Sequence, residues 1–216
     1  MRVLITGANR GIGKALFDAY TERGDTVEGT TRGTPVGPRM HRLDVTDAAG
    51  VAALGRTLAA RPLDLLVCNA GVYVDKGEDL DSGFPPEAWH ETFAVNVTGV
   101  FLTIQALLPA LRAARGKIAI LSSAMGSDAR APGGSYIYRA AKAAALNLGR
   151  NLATDLRSDG IAVGIYHPGW VQTDMGGQGA EIAPDTSARD LVRRFDALGL
   201  ATTGLFENHD GRPLPF

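Results

Sequence analysis

The sequence predicts a single α/β domain built on a doubly wound parallel sheet, and three observations predict it. Short β-branched apolar runs alternate with helix-period segments along the chain. A glycine-rich loop joins the first such run to the first helix, and 216 residues suffice for one domain with a well-buried core. No internal repeat, low-complexity tract or linker divides residues 1–216.

Residues 2–6 form an apolar run suited to a strand buried on both faces. Gly7, Asn9, Arg10, Gly11, Ile12 and Gly13 follow, then a helix-like segment over 14–20. Glycines at a strand-to-helix turn let backbone approach a pyrophosphate, whose charge the amide N–H groups and helix N-terminus hold. Placed between the first strand and the first helix, the loop points to the dinucleotide cradle of Rossmann-type domains, the plain alternative being a tight turn. A second strand over 26–31 runs into Arg32. An acid at this strand end serves a ribose 2′-hydroxyl, whereas an arginine suits a 2′-phosphate. Arg32, with Arg10 within reach of the same group, favours NADP(H) over NAD(H), provided Glu28 points elsewhere; the plain alternative for either arginine is a solvated side chain.

Breakers over 33–38 abbreviate the crossover to a third strand over 41–45, where Asp44 and Val45 are placed to meet the adenine. The plain alternative for Asp44 is a strand-end turn residue. Thr46 or Asp47 caps a helix over 48–60. A fourth strand over 63–68 ends in Asn69, Ala70 and Gly71, a polar group and small residues that let a cofactor pass closely. A polar loop over 75–83 leads to a long helix over 86–114, with Pro85 and Pro86 at its start and Glu87 and Glu91 in its early turns. Its apolar stripe reads Phe93, Val97, Phe101, Ile104 and Leu108. Asn96 interrupts that stripe, as an amide that makes a structural hydrogen bond, bends the helix or holds a water.

A fifth strand over 117–121 delivers Ser122 and Ser123 to the carboxyl edge, where open parallel sheets bind ligands. Either hydroxyl suits a substrate carbonyl, or simply a cap or turn. After a breaker-rich loop over 124–134, Ser135 reads as the N-cap of a helix that starts beside Tyr136, continues to about residue 157 and is closed by Gly160. On that helix Tyr138 and Lys142 project about 40° apart one turn removed, whereas Tyr136 and Lys142 diverge by about 120°. An ammonium beside a phenol lowers its pKa toward that of a usable acid or base. Tyr138 with Lys142 is therefore the candidate pair for proton transfer, although Tyr-x-x-x-Lys also arises by chance. A sixth strand over 161–166 ends in a turn at Pro168 and Gly169. That turn at the sheet edge and, beyond it, Val171 and Thr173 are placed to contact the carboxamide of a cofactor, and His167 reads as structural. Residues 176–184 form a candidate mobile lid, and a helix over 187–198 and a short strand near 204–206 complete the sheet.

The net charge of −1 gives no reason to expect a nucleic-acid partner. The single cysteine, Cys68, excludes an internal disulfide and reads as core, and the scattered histidines suggest no metal site. Without a signal peptide or an apolar run of transmembrane length, a cytoplasmic protein with no membrane partner is expected.

With the glycine loop, Asn69-Ala70-Gly71, Asn96, Ser123, Tyr138 and Lys142 in view together, the chain resembles the short-chain dehydrogenase/reductase family from end to end. Residues 125–127, 133–142 and 167–177 look like the branch holding small carbonyl reductases and a C-factor-like signalling protein. The resemblance implies strand order 3-2-1-4-5-6-7 and a homodimer or homotetramer formed through the two long helices. It implies Tyr138 as general acid/base, Lys142 lowering its pKa and holding the nicotinamide ribose, Ser123 binding the oxygen of a small carbonyl or alcohol substrate, and Asn96 holding a water of the proton relay. Many members have a shorter serine-to-tyrosine interval, which here would select Tyr136. Helical geometry selects Tyr138, while Ser122 against Ser123 stays open. The implied activity is an NADP(H)-dependent carbonyl–alcohol oxidoreductase. The alternatives are a dinucleotide-binding signalling or regulatory protein, or an isomerase or dehydratase that retains its cofactor.

Overall fold

The apolar runs assemble into one parallel sheet in the computed structural model, which describes residues 1–177 and 179–216. Its strands are β1 (Arg2–Ile5), β2 (Thr26–Thr31), β3 (Met40–Arg42), β4 (Leu65–Cys68), β5 (Lys117–Leu121), β6 (Ala162–His167) and β7 (Phe206–Asn208), in the order β3-β2-β1-β4-β5-β6-β7. The expected strand order is therefore the observed one. The helices are α1 (Gly11–Glu22), α2 (Ala48–Leu58), α3 (Pro86–Phe93), α4 (Gly99–Ala114), α5 (Tyr136–Asp155) and α6 (Pro184–Ala197).

Strand side chains alternate between faces, and both faces are apolar because both are covered. Val3, Ile5, Val67 and Tyr166 pack with Leu16 and Tyr20 of α1 and Leu191 and Phe195 of α6. On the opposite face Leu4, Leu66, Ile118 and Val163 pack with Leu54 of α2, Ile104 and Leu107 of α4 and Ala153 of α5. Cys68 lies in this second core, and burial pushes its thiol up to about 12.

Several elements depart from the sequence reading. The helix expected over 86–114 carries a π turn at Ala94–Thr98 between α3 and α4. That wider turn shifts the helical phase, so Val95, Val100, Ile104, Leu107 and Leu111 are buried while Phe101 of the expected stripe is 40% exposed. By length and composition Pro86–Ala114 is also apolar enough to cross a membrane, contrary to expectation, although half of its most apolar window is buried in this fold. β3 ends at Arg42 rather than residue 45, because Asp44 turns back to accept from the backbone N–H and hydroxyl of Thr46. β7 begins at Phe206, after Gly204 at φ +86° and the bond from Val163 N to Thr203 Oγ1. No helix intervenes between β2 and β3, as the breakers require.

The expected lid is pinned in part. Val171 bridges Ile182, Trp170 Nε1 donates to Gly176 O at 2.9 Å, and Gln172 Nε2 donates to Ala180 O at 3.0 Å. Gln178, within that expected lid, lies outside the described residues.

Candidate active site

The carboxyl ends of β1, β2, β4 and β5 border a cleft of about 690 Å³. Gly7, Asn9, Arg10, Gly11, Ile12 and Gly13 form one wall, and Arg32, Asp44 and Val45 form the far end. Asn69, Ala70, Gly71, Ser122, Lys142 and Thr173 complete the cleft. Tyr138, Ser123 and Asn96 lie outside its lining, and so do Pro168, Gly169 and Val171, which like Tyr138 were expected to touch a cofactor. Pro168 O instead accepts from Ser187 Oγ at 2.7 Å, and Val171 is 3% exposed.

The glycine loop is built for close backbone approach. Gly7 sits at φ +67°, and a Cβ on Gly13 would come within 2.2 Å of Gly7 O. Asn69 ties this loop to β4, donating from Nδ2 to Thr6 O at 2.8 Å and Gly7 O at 3.1 Å. The Thr6 hydroxyl accepts from the backbone N–H groups of both Asn69 and Ala70 at 3.0 Å. Arg10, at the N-cap of α1, offers its first turn no side-chain acceptor. Those N–H groups, the positive end of the helix and the absent β-carbons fit a pyrophosphate.

Glu28 does point elsewhere. It is 6% exposed and paired with Arg2 at 2.8 Å and Arg61 at 3.1 Å, away from the cleft lining. Arg32 stands exposed at the far end beside Asp44, whose carboxyl the two Thr46 hydrogen bonds hold below its usual range, with help from Arg32. Arg10 reaches across the mouth to Asp174 at 2.6 Å rather than toward Arg32, in an exposed pair of little energetic weight.

Tyr138 and Lys142 meet beyond Gly71, and Ser123, whose Oγ accepts from Met125 N–H at 3.1 Å, lies close to the phenol. Lys142 Nζ lies 5.5 Å from the Tyr138 ring centroid and donates to Leu121 O at 2.9 Å. A Cβ on Gly71 would come within 3.2 Å of Asn96 Oδ1 and 3.6 Å of Lys142 Nζ, so Asn96 and Lys142 flank that glycine. Asn96 clasps Val72 at both backbone atoms, accepting from its N–H and donating to its carbonyl, each at 2.9 Å. Tyr136 instead faces Phe84 edge-on and is 40% exposed.

The electrostatics correct one expectation. The Tyr138 pKa is raised, not lowered: burial dominates, Asp75 and Tyr73 add to it, and a hydrogen-bonding contribution from Ser123 opposes it. Lys142 is itself buried, and desolvation brings its ammonium down to about 8. Removing solvent from a phenolate costs more here than the Ser123 hydroxyl returns. His167 is likewise pushed down to about 4, chiefly by burial, which agrees with a structural role.

Two residues at this site carry no sequence signal. Tyr73 stacks on Tyr138 with centroids 4.2 Å apart, and Asp75, rather than Ser135, caps α5. Ser135 takes an αL conformation and bonds the Tyr73 hydroxyl instead. The partners lie 62 residues apart in sequence, so no local pattern marks them.

Comparison with known proteins agrees with this fold. The family model described as short chain dehydrogenase matches residues 1–181. The C-signal protein of Myxococcus xanthus is 37% identical over 166 residues, covering 76% of this chain and 99% of that protein. The structure of the carbonyl reductase Sniffer of D. melanogaster superposes with TM-score 0.92 at 27% identity, over 100% of this chain and 99% of that one. An NADPH-bound carbonyl reductase from chicken fatty liver gives TM-score 0.88 at 29% identity, over 100% and 98% of the two chains. With its sheet order, its glycine-loop cleft and a family match over most of its length, this chain belongs to the short-chain dehydrogenase family of oxidoreductases.

Proposed function

We propose that this chain is an NADP(H)-dependent oxidoreductase that interconverts a small carbonyl compound and its alcohol, with Tyr138 as general acid/base. The observation that carries this reading is the meeting of Tyr138, Ser123 and Lys142 at the carboxyl edge, beside the glycine-loop cleft. A nicotinamide bound there would supply or accept the hydride. Ser123 Oγ would hold the substrate oxygen by hydrogen bonding. Tyr138 Oη would give its proton to that oxygen in reduction and take it back in oxidation. A raised pKa keeps the phenol protonated at neutral pH, which suits the donor role.

Lys142, still mostly protonated at neutrality with its pKa near 8, would stabilise the phenolate left by proton transfer and hold the ribose. Asn96 keeps an acceptor site and an N–H beyond those spent on Val72, available to a relay water. Arg32 at the far end of the cleft, with Glu28 engaged elsewhere, supports NADP(H) over NAD(H).

The test is a panel of ketones and aldehydes assayed with NADPH and NADH. Turnover faster with NADPH and abolished in Tyr138→Phe, with cofactor affinity kept, is the expected result. The likeness to C-signal supports a second reading, a dinucleotide-binding signalling protein. Dinucleotide binding without turnover of any carbonyl would favour it.

A further inference from the structure

α5 carries Tyr138 in its first turn, where helix N–H groups lack intrahelical partners and need outside acceptors. The chain entering that turn supplies none. Gly133, Gly134 and Ser135 all lie at positive φ, and Ser135 makes no side-chain capping bond. The acceptor is Asp75, 1% exposed, whose Oδ2 takes Ile137 N–H at 2.8 Å while Oδ1 takes Tyr138 N–H at 3.2 Å. Beside it the Tyr73 ring lies against the Tyr138 ring, and the Tyr73 Oη and Ser135 Oγ are 2.5 Å apart. Residues 71–75 therefore run from the cleft wall at Gly71, through the Val72 held by Asn96, to the phenol and its helix turn.

We propose that Asp75, with Tyr73 beside it, is a positioning residue for proton transfer at Tyr138: its carboxylate seats the first turn of α5 and so sets where the phenol points. This rests on the assignment of Tyr138 as general acid/base. A carboxylate at a helix N-terminus bonds strongly, being both charge-assisted and aligned with the helix dipole. Its negative charge also favours the protonated phenol. The groups facing Tyr138 are Ser123 after β5, Tyr73 and Asp75 from the 71–75 segment, and Lys142 on α5 itself. The two charged groups among them thus act in opposite directions.

Asp75→Asn keeps the shape and one acceptor but removes the charge, and Asp75→Ala removes both acceptors. In the protein alone, hydrogen exchange at the Ile137 and Tyr138 amides should quicken roughly tenfold in Asp75→Ala. Unchanged exchange overturns the cap. With an alcohol substrate and NADP⁺, kcat of Asp75→Ala should fall at least about tenfold at nearly constant KM. In Asp75→Asn the pH midpoint of alcohol oxidation should move down by about one unit. A purely structural role would lower the thermal midpoint and leave that pH midpoint in place, which overturns positioning. If Asp75→Ala does not fold, exchange and pH midpoint in Asp75→Asn decide. An active wild type with indifferent Asp75 variants defeats this proposal alone. A wild type without turnover defeats the Tyr138 assignment and the proposal with it.

Discussion

Ser122 Oγ donates to the backbone carbonyl of Lys142 at 2.9 Å, inside the packing between β5 and α5. That bond commits the first of two adjacent serines to holding the helix, while Ser123 Oγ accepts from Met125 N–H at 3.1 Å and lies near enough to Tyr138 to oppose the rise in its pKa. Ser123→Ala should therefore lower kcat by roughly a hundredfold, the cost of losing one donor to a reacting oxygen. Ser122→Ala should act mainly on stability, at about 1 kcal/mol for a lost buried hydrogen bond. Steady-state kinetics and thermal unfolding of both variants check this, and kinetic losses in the reverse order would reassign the donor.

Arg32 is the cation at the far end of the cleft, and the acid on β2 is turned away from it. Arg32→Asp should weaken NADPH binding by roughly tenfold to a hundredfold, the value of charge-assisted bonds to a phosphate, and leave NADH little changed or improved. Fluorescence titration with both dinucleotides measures it. Equal losses would remove the case for phosphate preference.

Gly13 lies where α1 meets the glycine loop and Asn69, and an added methyl would overlap Gly7 O and Asn69 Nδ2. Gly13→Ala should destabilise the fold by about 1–3 kcal/mol, the usual cost of overpacking a tight site. It should also displace the loop and weaken dinucleotide binding. Urea unfolding together with a cofactor titration tests both, and wild-type stability would contradict the packing described here.

The Lys142 ammonium has a folded-state pKa near 8 against an ordinary 10.5. Between those values the unfolded chain binds the proton and the folded chain releases it, so stability gains with rising pH across that window. The penalty for burying the charge is fully present below about pH 8 and gone above about 10.5. The raised Tyr20, Tyr138 and Tyr166 pKa values act oppositely above pH 10, where the unfolded phenols ionise first. Lys142→Met should lose the gain between pH 8 and 10. Denaturant unfolding of both proteins across that range measures it, and parallel curves would mean that Lys142 is not desolvated.

Local rules determined the strands, the glycine loop, the short β2–β3 crossover and the helical phasing that brings Tyr138 rather than Tyr136 over Lys142, because strand and helix periods and the reach of a helical turn are properties of neighbouring residues. Asn96 was legible as an amide that could bend the helix, but neither the π turn there nor its partner was, since the Val72 backbone that takes both ends of the amide lies 24 residues away. Asp75 as the cap of α5, Tyr73 over Tyr138, and the bond that ties Ser122 to the α5 backbone were likewise decided only by packing. So was the sign of the Tyr138 shift, because desolvation depends on every element that covers the phenol, whereas the sequence displays only the cation one turn along its own helix.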